Sequence, residues 1–125
     1  MSQLSSAGHA RAFRLTELER ESGCREIQIE GELDMAVSDQ LGEALDRVGK
    51  EYAQVLISLE QCEFIDSTGI AVIVAAHGRF ADEGRRMTVC GASSQVLRVL
   101  SLTGLTANGL VFKTADEALS VADDH

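Results

Sequence analysis

The chain is 125 residues long, room for one small core and too little for two ordinary ones. Asp and Glu outnumber Lys and Arg by 20 to 11, a formal charge of -9. With no basic block to track a phosphate backbone, this excludes direct nucleic-acid binding, and the richest apolar run, residues 70–76, is far shorter than the ~20 residues of a bilayer-crossing helix, which excludes membrane insertion.

Residues 1–9 are small and polar and read as a flexible extension. They lack the positive start and long apolar stretch of an export signal, so a cytoplasmic location is expected. Residues 10–121 read as one domain and residues 122–125 as a frayed end. Phe13, Leu15 and Leu18 open a half-buried strand that stops at the turn signal Glu21-Ser22-Gly23. Beyond it Ile27 and Ile29 alternate with Glu26, Gln28 and Glu30, the period of a strand with one wet face, and the two segments form a hairpin.

At Val37 the period lengthens: Val37, Leu41, Ala44, Leu45 and Val48 recur at helical spacing, which predicts an amphipathic helix. Residues 54–59 are almost continuously apolar, as in a central strand covered by helices and flanked by parallel neighbours. A second helix starts near Ser67, lays Ile70, Ile73, Val74 and His77 along one side, and closes at Ala81-Asp82-Glu83-Gly84. Met87-Thr88-Val89-Cys90-Gly91 is the next strand. A third helix starts at Ser93 or Ser94 and presents Val96, Leu97, Val99 and Leu100 before Gly104. Leu110-Val111-Phe112 is a last strand, and Thr114 with Glu117 three residues on has capping-box spacing for a short final helix. Two strands followed by helix-strand units predict an α/β fold with a mixed, mostly parallel sheet and the first strand antiparallel at its edge.

The tetrapeptide Asp66-Ser67-Thr68-Gly69 joins an apolar strand to an apolar helix and sets two adjacent hydroxyls at the joint. Asp66 or Ser67 can cap the helix, and Gly69 allows another backbone to approach. Helical geometry adds a second reading. With Ile70, Ile73, Val74 and His77 facing the sheet, Thr68 turns outward with Val72, Ala75 and Arg79, and Val72 beside Ala71 and Ala75 offers a smooth patch for a protein partner. The other reading of that flank is a fully buried helix, or one packed on a second copy as a homodimer. Phosphorylation of Thr68 would add roughly -1.5 to -2 charges where first-turn amides tolerate an anion but a partner fitted to a neutral hydroxyl does not. Asp34 ends the segment Gly31-Glu32-Leu33-Asp34, and parallel packing brings it to the same sheet end as Asp66. It reads either as a turn-former or as part of the binding surface.

No catalytic set, metal site or cofactor motif emerges. Cys24, Cys62 and Cys90 are scattered and odd in number, as expected of semi-buried structural thiols. His77 reads as a packing or surface residue, and His9 and His125 lie in the tails. There is no glycine-rich loop with a phosphate lysine, no dinucleotide fingerprint and no nucleophile elbow. The enzyme-class alternative is a hydrolase built on Asp34 and Asp66, which requires a substrate-sized cleft between them; the chain is not expected to be an enzyme.

Taken together, Gly31-Glu32-Leu33-Asp34, Val55-Leu56-Ile57-Ser58-Leu59, Phe64-Ile65-Asp66-Ser67-Thr68-Gly69, Met87-Thr88-Val89-Cys90-Gly91 and residues 96–105 resemble, in order and spacing, the STAS domain family and in particular the bacterial anti-sigma factor antagonists. The resemblance covers about residues 10–120. It implies a small sheet with helices packed mainly on one side, and an acceptor hydroxyl at the start of the second helix. By residue-level correspondence the acceptor is Thr68, with Asp34, Asp66 and Ser67 beside it; many antagonists have serine at the acceptor. The implied partners are an anti-sigma factor that is also a serine kinase, and a separate phosphatase that restores the unmodified form. Related single-domain proteins serve in stress-signalling assemblies or bind the ATPase of a lipid transporter, so an accessory or scaffold role is the alternative the resemblance leaves open.

Overall fold

Strands β1 (Arg14–Arg20) and β2 (Cys24–Leu33) pair antiparallel, with Leu15 opposite Ile29 and Glu17 opposite Ile27, across a turn in which Gly23 takes a positive φ of 76°. The computed structural model describes residues 12–20, 23–102 and 110–123. The expected extension at 1–9, Glu21-Ser22, Gly104, Leu105 and residues 124–125 lie outside them. After the hairpin the chain runs through α1 (Ser38–Gly49), β3 (Gln54–Ile65), α2 (Ser67–Asp82), β4 (Arg86–Cys90), α3 (Ser94–Leu102), β5 (Val111–Phe112) and α4 (Ala115–Asp123). Spatial order equals chain order, β1-β2-β3-β4-β5, and every pair after the first is parallel. The mixed, mostly parallel sheet with its antiparallel edge is the one the sequence predicts.

Strand alternation divides the core in two. Ile27, Ile29, Val55, Ile57, Leu59, Met87 and Val89 point to one face, where Leu41, Leu45 and Val48 of α1, Ile70, Ile73, Ala76 and Phe80 of α2, and Val96 and Leu100 of α3 cover them. On the other face Cys24, Leu56 and Cys90 meet Ala118 of α4, with Phe112, Ala115 and Leu119 around them. Helices thus pack mainly on one side. All three cysteines are buried free thiols. Burial pushes the Cys24 and Cys62 thiols upward, and that of Cys90 up to about 11.

Several local expectations change. Strand β3 runs six residues beyond the apolar run, to Ile65, because β2 also continues to Leu33 and the two stay paired through register shifts between Gln28 and Glu30 and between Gly31 and Glu32. The added residues Glu60, Gln61 and Glu63 are exposed, so their polarity conceals the strand. Glu26, read as a wet-face residue, is buried at 4% exposure; Arg20 Nε lies 2.5 Å from its Oε1 and Gln28 Nε2 donates to its Oε2 at 3.0 Å. A carboxylate beside Leu56 in register is tolerable there because a guanidinium and an amide both donate to it.

The buried line of α2 is Gly69, Ile70, Ile73, Ala76 and Phe80. Val74, expected to face the sheet, is 40% exposed, whereas Val72, expected to be outward, is half-buried and packs on the core beside Gly42 of α1. The two valines exchange roles because α2 lies against α1 as well as the sheet, which rotates its covered stripe toward α1. His77 is half-buried with Nδ1 3.1 Å from the Met87 carbonyl; a carbonyl only accepts, so Nδ1 carries the proton and the ring serves packing. Thr114 caps α4 by accepting from Glu117 N at 3.1 Å, and Glu117 Oε1 reaches back to Lys113 N at 3.1 Å, one residue before the position a strict capping box would use.

Candidate functional site

Two segments converge at the C-terminal end of β2 and β3: the turn from Asp34 to Val37 that leads into α1, and the first turn of α2. Pairing of Leu33 with Ile65 sets them side by side, and Asp66 N donates to Leu33 O at 3.1 Å. Gly69 is buried against the end of β2, where an added Cβ would stand 2.7 Å from Leu33 Cγ and 3.0 Å from Leu33 O. This glycine is required for close approach, since its φ lies outside the left-handed region.

Asp66 is the cap of α2. Its Oδ1 accepts from Thr68 N at 2.9 Å, Gly69 N at 3.1 Å and the Thr68 hydroxyl at 2.5 Å, and its Oδ2 accepts from Met35 N at 3.2 Å. The Thr68 hydroxyl bond is the largest of the influences that hold the Asp66 carboxyl below the usual carboxylate range, the Gly69, Thr68 and Met35 amides adding to it and burial working the other way. Asp66 therefore stays ionised at neutral pH and holds the hydroxyl in one orientation.

Asp34 lies half-buried at the same sheet end, as expected, and its carboxylate is used locally. Oδ1 accepts from Ala36 N at 3.0 Å while the Asp34 carbonyl accepts from Val37 N at 3.1 Å and Ser38 N at 2.9 Å, so Asp34 forms the turn that starts α1. Asp34 Oδ1 and both Asp66 oxygens accept from backbone amides, Asp66 Oδ1 from the Thr68 hydroxyl as well, the arrangement of a turn and a cap. Among the described residues no group of three or more His, Cys, Asp or Glu side chains is placed to hold a metal ion.

Ser67 is exposed and Thr68 half-buried at the surface, so the two hydroxyls stand at the rim and Gly69 beneath it. Val72, the remaining sequence-expected site residue, belongs to the α1 contact; the outward flank of α2 consists of Ala71, Val74, Ala75 and Gly78. Two exposed apolar residues that the sequence reading passed over lie close to the joint: Met35, 73% exposed, whose amide donates to Asp66, and Phe64, 41% exposed, two residues before Asp66 along the chain. Their signal was available. Met35 falls outside the helical period that begins at Val37, and Phe64 precedes the joint where alternation puts Ile65 inward.

A five-stranded sheet with helices packed mainly on one face, and a surface hydroxyl held by a carboxylate at one sheet end, defines a small α/β domain. The chain matches the STAS domain over residues 16–118 and belongs to that family. It is 32% identical over 93 residues to an anti-sigma F factor antagonist of Paenibacillus polymyxa, covering 71% of this chain and 78% of the relative. Its fold is similar to that of an anti-sigma factor antagonist from Mycobacterium paratuberculosis, with TM-score 0.79, 23% identity, and coverage of 88% of this chain and 93% of the other. It is also similar to the Bacillus cell fate determinant SpoIIAA in its phosphorylated form, with TM-score 0.66, 20% identity, and coverage of 89% and 99%. No helix among the described residues is long and apolar enough to cross a membrane.

Proposed function

We propose that this protein is an anti-sigma factor antagonist, a non-enzymatic cytoplasmic switch that binds an anti-sigma factor with kinase activity and is released by phosphorylation at Thr68. The observation that carries the reading is the Thr68 hydroxyl, oriented by Asp66 and set at a rim with Ser67, Met35 and the outward flank of α2. A partner docking there meets a neutral hydroxyl and apolar groups. Phosphate from the kinase's ATP would add about -1.5 to -2 charges at that spot, beside the Asp66 carboxylate, in a chain already at -9. The helix N-terminus accommodates the anion, so the fold survives, while the partner surface must solvate a dianion it was not fitted to. Hydrolysis by a separate phosphatase resets the surface. The antagonist relatives and the phosphorylated SpoIIAA neighbour support this reading.

The test is a mass spectrum of the protein after incubation with its candidate kinase and ATP, read together with pulldown by that kinase. Phosphate is expected at Thr68; Thr68→Glu should weaken the complex about tenfold or more, and Thr68→Ala should bind but not switch. Equal pulldown of wild type and Thr68→Glu would overturn the switch in favour of a constitutive scaffold contact.

A further inference from the structure

Asp66 serves two segments with one carboxylate, Oδ1 holding the first turn of α2 and Oδ2 holding the Met35 amide across the gap. The separation between Thr68 Oγ1 and Asp66 Oδ1, 2.5 Å, requires a proton between them. Phosphoryl transfer removes that proton. Oγ1 forms a bond to the γ-phosphorus of ATP, the bond from that phosphorus to the bridging oxygen breaks, ADP leaves with the electron pair, and the hydroxyl proton passes to a carboxylate base of the kinase. Asp66 aims the hydroxyl during this step, and its depressed carboxyl makes it a poor keeper of the proton.

Once Thr68 is esterified, a proton-less oxygen and a carboxylate oxygen face each other, and the phosphate and Asp66 compete for the same Thr68 and Gly69 amides. The phosphate carries the larger charge and brings more acceptor oxygens. We propose that Asp66 is a coupling residue: the Thr68 phosphate takes over those amides, turns the Asp66 carboxylate away, and thereby unties Met35 and the turn that presents it to the partner. This rests on Thr68 being the acceptor. Phosphorylation then does two things at once, adding charge at the rim and loosening the exposed apolar residue beside it. The turn itself persists, since Asp34 still accepts from Ala36, Val37 and Ser38.

The test uses the full chain with phosphothreonine incorporated at position 68 during synthesis, so that it needs no kinase, and reads backbone amides by NMR and hydrogen exchange. The Met35 amide should exchange about tenfold faster in the phosphorylated chain, the loss expected for one hydrogen bond to a carboxylate. Unmodified Asp66→Asn, in which the amide nitrogen of the side chain can no longer accept from Met35, should show the same acceleration, and phosphothreonine added to Asp66→Asn should add nothing at Met35. Shifts at Thr68 and Gly69 with Met35 unchanged would overturn the coupling. Kinase pulldown of the same samples is scored separately. Retained binding by the phosphorylated chain would count against the switch, whereas an unmoved Met35 amide counts against the relay alone.

Discussion

Gly69 and Leu33 touch so closely that no side chain fits between them: an added Cβ would lie 2.7 Å from Leu33 Cγ and 2.9 Å from its Cδ2. The contact welds the start of α2 to the end of β2 and fixes where the Thr68 hydroxyl stands. Gly69→Ala should therefore cost about 1–3 kcal/mol through overpacking. Gly78, on the exposed flank of the same helix, has nothing within 4 Å of its added Cβ, and Gly78→Ala should stabilise by about 0.5–1 kcal/mol. Urea titration of the two variants checks both signs, and equal shifts would contradict the packing argument.

Asp66 contributes a pH-dependent share of stability. Its carboxyl lies below its ordinary value of 3.8 in the folded chain, chiefly through the Thr68 hydroxyl. The stabilisation is present in full above 3.8 and fades as pH falls through the lowered folded-state value. Asp66→Ala should cost about 1 kcal/mol near neutrality, as for a lost helix cap, and the gap to wild type should shrink under acid. Urea midpoints measured from pH 7 downward follow this; a gap that widens on acidification would refute it.

The buried thiols set an opposite, alkaline limit. Cys90 is raised from 9.0 to about 11 by burial first, with Glu26 and Glu60 nearby adding to it. A folded state that holds the proton more tightly keeps its full stability below pH 9.0 and loses it as pH rises toward about 11. Cys24 and Cys62 shift in the same direction. Thiol titration should find little reaction in the native protein at neutral pH and all three cysteines in denaturant. Fast native labelling of Cys90 would show that α4 does not seal that face.

The pair Arg20 and Glu26 provides a stability test far from the site. Arg20→Met leaves the buried Glu26 without its guanidinium and should destabilise by about 1–3 kcal/mol. Adding Glu26→Gln should recover much of that loss, because a neutral amide needs no counter-charge. A double-mutant cycle by thermal or urea unfolding decides whether the two residues act as a unit.

Much of the architecture was legible because periodicity reports burial on one face of an element. The alternation of Ile27 and Ile29, the helical recurrence of Leu41, Leu45 and Val48, and the apolar run at residues 54–59 each reappear as core. Where an element is buried on more than one side the signal fails, as it does for Val72 and Val74, whose roles depend on how α1 and α2 meet. The end of β3 is concealed because its buried positions lose the two-residue alternation where the register against β2 shifts, and Glu26 because the Arg20 that satisfies it comes from a neighbouring strand.

The amino-acid order alone determined the mixed, mostly parallel α/β sheet, a helix cap at Asp66 or Ser67 and the presence of Thr68 at the strand-helix joint, because these follow from neighbours a few residues apart; the choice of Asp66 as the cap came from the folded chain. Only the folded chain decided that one Asp66 carboxylate holds both Thr68 and Met35, residues that Gly69 and Leu33 bring together from distant parts of the chain. The physical reason is that hydrogen bonds and close packing act over ångströms, and no periodicity records which distant segments come within that reach.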